Sequence, residues 1–184
     1  MERATSTPDL TRRTALKGAA GVALGAAGLI AASSAASAQA TPSAGESVAQ
    51  VPVLTTDGAM AVLQAALAKA QEIGVPEVIT IVDAAGTVKA LVRMDGSPNA
   101  SLNLAMDKAF TAAAFHAPTD QFAQAVSGDP VVMASILKAP NITLLPGGVP
   151  LMSGEAVIGA IGCSGGSGEQ DIEVAQAGIA ALGA

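Results

Sequence analysis

The feature that most limits how this chain can fold is a pair of β-branched runs, Val78-Ile79-Thr80-Ile81-Val82 and Thr87-Val88-Lys89-Ala90-Leu91-Val92-Arg93, parted only by Asp83-Ala84-Ala85-Gly86. Four turn-forming residues between two such runs suit an antiparallel hairpin. Helical patterns bracket it. From Thr56 to Ile73 the apolar positions Met60, Leu63, Leu67 and Ala70 recur every three or four residues, and Gly74 with Pro76 supplies a stop. After a loop over 94–99, Ser101 to Phe115 reads as a second helix that must end before Pro118.

Beyond it, Thr119 is placed to cap a short helix reaching Ser127, and Asp129-Pro130 to open another ending near Lys138. Strands are expected at Ile142–Leu145 and Ala156–Cys163, with a short one around Leu151–Ser153, divided by Pro146-Gly147-Gly148-Val149-Pro150. Ser167 with Gln170 fits a capping box for a last amphipathic helix through Ile172, Ala175, Ile179 and Leu182. The order α-β-β-α-α-α-β-β-α predicts an α+β domain, an antiparallel sheet of about five strands flanked by helices.

The N-terminus reads differently. Thr11-Arg12-Arg13-Thr14-Ala15-Leu16-Lys17 leads into the weakly apolar run 18–32, and Ala38-Gln39-Ala40 is a cleavage pattern. Residues 1–40 are therefore expected to be a twin-arginine-type signal peptide, 41–53 a flexible linker, and 54–184 the working domain, exported to the periplasm or beyond. The Gly- and Ala-dominated run is shorter than the roughly 20 residues that span a bilayer.

Residue counts close off several chemistries. A single cysteine excludes an internal disulfide framework and a four-thiolate metal site, and a lone histidine excludes a multi-histidine site within the chain. Residues 41–184 hold five basic against thirteen acidic side chains, and the whole chain has only three aromatic residues. Such a domain lacks the phosphate-neutralising charge and stacking surfaces of a nucleic-acid binder. Gly162-Cys163-Ser164-Gly165-Gly166 reads as a tight turn, not a nucleophile elbow. Cys163 is either a small buried hydrophobe of a strand or a reactive thiol. The Pro146–Pro150 cluster is either a turn or a set of exposed N–H groups for a carboxylate.

Helix 101–115 carries the most informative face. Leu104, Lys108, Thr111 and Phe115 follow one another at spacings of four, three and four, so they line one side. Asp107 and Lys108 read equally as solvated charges of a helix face. His116 lies off that stripe at the helix end, as a capping residue or as a ligand.

Four segments in register make the chain recognisable: Met106-Asp107-Lys108-Ala109-Phe110-Thr111-Ala112-Ala113-Ala114-Phe115 with Ala117-Pro118-Thr119; Pro146-Gly147-Gly148-Val149-Pro150; Gly159-Ala160-Ile161-Gly162 with Ser164-Gly165-Gly166; and Glu169-Gln170-Asp171. From about Leu54 to Ala184 the sequence resembles the GlcG and HbpS family, whose domain is also called haem-degrading and is related to the C-terminal part of some PduO-type corrinoid proteins. The resemblance implies haem, and its iron, as cofactor, and a homo-oligomer of up to eight copies. It also implies capture or sensing of haem outside the cytoplasm, with a sensor or membrane-protein partner. Its rival implication is a GlcG-type haem-degrading or small-molecule enzyme or accessory protein related to 2-hydroxy acids or corrinoids. The resemblance assigns Thr111 to iron. His116, which departs from the family pattern, is the stronger donor by chemistry. Phe110 and Phe115 are expected to sandwich the porphyrin and Lys108 to pair a propionate.

Overall fold

The computed structural model describes residues 49–136 and 138–183; the expected leader lies outside them. Residues 49–53 are exposed and without regular structure, and Leu54 is the first buried side chain. Helix α1 (Thr56–Glu72) starts where the Thr55 hydroxyl accepts the Gly58 amide. The hairpin follows as strands β1 (Val78–Asp83) and β2 (Val88–Arg93), with the Asp83 carboxylate accepting the amides of Ala85 and Thr87 to hold the turn. Then come α2 (Ser101–Phe115), α3 (Thr119–Val126), α4 (Pro130–Ile136), β3 (Gly148–Ser153), β4 (Ala156–Ser164) and α5 (Gly168–Ile179), which ends in a short 3-10 turn.

The sheet order is β2-β1-β4-β3 and every pair is antiparallel. This is the expected α+β domain with four strands, not five. Ile142–Leu145 is not a strand: it lies between Pro140 and Pro146, and the Thr143 amide is donated to the Thr111 hydroxyl instead of to a ladder. The strand expected at Leu151–Ser153 begins earlier, at Gly148. It is an edge strand, so Pro150 removes no ladder hydrogen bond from its open side.

The two faces of the sheet are covered differently. Helices α1 and α5 pack on one face, where Val62, Ala66 and Ala70 with Val174 and Ala175 bury Ile79, Ile81, Ile161 and Cys163. Each buried branched side chain there contributes roughly 1.5–3 kcal/mol. Met60, expected on that stripe, is turned out to solvent, and Ala59 and Val62 take the inward positions. On the opposite face α2 lays Ala109, Ala112 and Ala113 against Val82 and Ala160. Small residues let it approach closely: an added Cβ at Gly162 would overlap the carbonyl of Ala105. The tight contact fixes which α2 side chains point inward and which stay on the rim.

Two caps differ in outcome. Ser167 and Gln170 form the expected capping box of α5, and Asp129 accepts the amides of Val131 and Val132 to start α4. Thr119 does not cap α3. Its hydroxyl is buried and accepts the Gly148 amide at 3.0 Å, tying the start of α3 to the start of β3.

Candidate functional site

Helix α2 disperses its candidate residues in three directions. Lys108 and Thr111 point into the protein, Phe110 points to a groove beside β2, and Phe115 with His116 sits at the C-terminal end. The structure therefore does not gather the five into one pocket.

Lys108 is neither a solvated charge nor free to pair a propionate. It is 2% exposed, and its Nζ donates to the carbonyl of Cys163 at 2.8 Å and to Asp171 Oδ2 at 2.6 Å. The other Asp171 oxygen accepts the Gly166 amide at 3.0 Å. One buried ion pair thus joins α2, β4 and the first turn of α5. The helix-face reading failed because the partner stands 63 residues away in sequence.

Thr111 is fully buried, and its hydroxyl is engaged twice. It donates to the Asp107 carbonyl at 2.7 Å and accepts the Thr143 amide at 3.0 Å, which pins the segment after α4 onto α2. The remaining lone pair of the hydroxyl is buried, so an iron ion could reach this oxygen only if the surrounding residues moved. Phe115 is 39% exposed and stacks on Phe122 with ring centroids 3.9 Å apart. His116 is exposed and takes the left-handed conformation with φ 55°, the geometry that commonly ends a helix. The two glycine-rich segments serve as structure: the Gly148 amide is taken by Thr119, and the Gly166 amide by Asp171. Cys163 is buried, and burial, then Glu77 and Asp171, push its thiol well above its ordinary pKa, which disfavours the thiolate.

The concavity with ligand-like chemistry lies on the outer side of α2. Helix α2 packs over β1, β4 and β3, and leaves Val88 and Leu91 of β2 exposed. A register shift after Ile81 sets Val88 opposite Val82, so both valines floor a groove of about 420 Å³. Asn103, Met106, Asp107 and Phe110 of α2 form its wall, and Gly86 and Asn141 close it. Gly86 has φ +79°, and a Cβ there would come within 2.5 Å of the Phe110 ring, so the hairpin turn is cut to receive that ring. Burial raises the Asp107 carboxyl above its usual range.

The lining is mixed, with the Asn103 and Asn141 amides and the Asp107 carboxyl beside an apolar patch of Val82, Val88, Met106 and Phe110. Such a lining can meet a small molecule with both apolar and hydrogen-bonding contacts. Met106 brings a thioether side chain to this lining. Among the described residues no group of three or more His, Cys, Asp or Glu is arranged to hold a bare metal ion. Asn103, Met106 and Asn141 were missed in the sequence. The spacing of Asn103, Met106 and Phe110 by three and four is a second helical stripe that could have flagged the first two; nothing local marks Asn141.

Known proteins share this architecture. The corrinoid adenosyltransferase PduO of Salmonella typhimurium is 38% identical over 121 residues, which are 65% of this chain but 36% of that protein. A crystal structure of a PduOC–haem complex is 35% identical, covering 71% of this chain and 95% of the other, with a TM-score of 0.66. A double mutant of HbpS from Streptomyces reticuli is 31% identical, covering 78% and 97%, with a TM-score of 0.70. Residues 54–180 match the family described as haem degrading protein HbpS-like, and the chain belongs to that family.

Proposed function

We propose that this protein is an exported, oligomeric haem-binding protein that captures or senses haem outside the cytoplasm. The observation that carries the reading is the solved haem complex of a relative 35% identical to this chain. The groove beside α2 supports it from within, since Val82, Val88, Met106 and Phe110 offer one apolar face for a porphyrin. In this reading Asn103 and Asn141 donate to the propionates, and Met106 faces the iron. Haem supplies the redox-active and gas-binding metal; the protein supplies the apolar cover, the orientation and the donor.

The open groove covers a single face of a flat ligand, so a second copy of the chain completes the site from the other side. His116 cannot line the groove of its own subunit: it stands six residues beyond Phe110, roughly 9 Å along the helix. It defines the rival placement, in which haem lies on the exposed Phe115–Phe122 stack with His116 as ligand. Thr111 as ligand requires its buried hydroxyl to be uncovered.

Spectral titration with haemin tests the reading: a saturable Soret shift is expected. Reductant-dependent loss of the Soret band with release of iron or a bilin would replace capture by haem breakdown. Export rests on Arg12 and Arg13, and replacing both with lysine should leave the chain uncleaved in the cytoplasm. Cleavage before Thr41 in the unmodified protein is the expected mass.

A further inference from the structure

Glu77, the residue before β1, is completely buried with its carboxyl against Asp171 and near the Gly166 amide, and among the described residues neither of its oxygens makes a hydrogen bond of good geometry. It faces charged and titratable groups from three elements: Asp171 of α5, Lys108 of α2 and Cys163 of β4. One ammonium therefore serves two carboxyl groups. Asp171 has already taken it, with its second oxygen on the Gly166 amide, so both Asp171 oxygens are engaged as acceptors. An ionised Glu77 would be a second buried anion beside the first, which a protein interior strongly disfavours.

We propose that Glu77 is a proton-loaded latch, neutral while the Lys108–Asp171 clasp between α2 and α5 is closed, and that loss of its proton in mildly alkaline solution loosens the clasp. Burial and then the Asp171 carboxylate push the Glu77 carboxyl from 4.5 up to about 8, against the opposing pull of Lys108. The folded state then holds a proton that the unfolded chain lacks. Stability should fall as pH rises from about 4.5 to about 8 and level off above, because both states are ionised there. The native protein itself changes near the upper limit. Two anions then compete for Lys108 beneath a cleft of about 180 Å³ lined by Leu104, Lys108, Ser164 and Gly166, and the contacts that tie α2 and α5 to the end of β4 loosen there.

Cys163, the sole cysteine, is buried beside the cluster and reports opening. Its labelling by an aromatic disulfide reagent is followed from pH 7 to 9.5 in the unmodified protein and in Glu77→Gln, which keeps the shape and fixes the neutral form. Above about pH 8 the unmodified protein should label faster than Glu77→Gln, although an ionised Glu77 by itself raises the Cys163 thiol and would slow labelling. The Tm difference between the two should grow from pH 5 to 8. Identical profiles would overturn the proposal. Should Glu77→Gln not fold, NMR titration of the Glu77 side-chain carboxyl in the unmodified protein decides: a midpoint near 8 supports the latch, and one in the ordinary carboxyl range refutes it.

Discussion

The ε-ammonium of Lys108 and the carboxylate of Asp171 lie 2.6 Å apart, with side chains 3% and 5% exposed. This pair turns Lys108 from a candidate ligand-binding cation into a joint that ties α2 to the end of β4 and the first turn of α5.

Lys108→Ala should be strongly destabilising, by about 3–5 kcal/mol, because it strands the Asp171 charge and the Cys163 carbonyl in the interior. Urea unfolding measures it. A change under 1 kcal/mol with a large loss of haem affinity would restore the propionate role to Lys108.

Thr111→Val keeps the shape and removes the hydroxyl, leaving the Thr143 amide without its acceptor. The expected cost is about 1–3 kcal/mol, with Thr111→Ser close to the unmodified protein. If Thr111→Val alters the haem spectrum at unchanged stability, the hydroxyl is an iron ligand and is uncovered on binding.

How far the sequence discloses the molecule follows from how local each signal is. The bounds of α2, the hairpin turn on Asp83 and the Ser167–Gln170 box are written in neighbouring residues, and all stand where their patterns put them. The destinations of Lys108, Thr111 and Thr119 are not local. Each meets a partner between 29 and 63 residues away. Their polar heads look solvent-bound in sequence because nothing nearby shows that a carboxylate, an amide or a loop will close over them. The groove was hidden for the same reason, since it is made by what α2 leaves uncovered on β2.

Gly162→Ala should force α2 off the sheet, since the new methyl group would overlap the Ala105 carbonyl and crowd the Ala109 amide. A loss of about 1–3 kcal/mol is expected from overpacking. It should be accompanied by faster amide exchange in α2; unchanged exchange there would show that the helix does not rest on β4.

Within the groove, Met106→Leu keeps the volume and removes the thioether. It should change the ligand-field bands of bound haem, whereas His116→Ala should leave them as they are. The reverse result would move haem to the Phe115–Phe122 end of α2.

The most direct measurement is a haemin titration, followed by Soret absorbance, of the unmodified protein beside Val88→Glu and His116→Ala. Val88 is 46% exposed on the groove floor, so a carboxylate there leaves the core intact while spoiling the apolar surface. The account predicts a saturable shift in the unmodified protein and in His116→Ala, and its loss in Val88→Glu. No saturable shift in the unmodified protein, or one that Val88→Glu leaves unchanged, would contradict it.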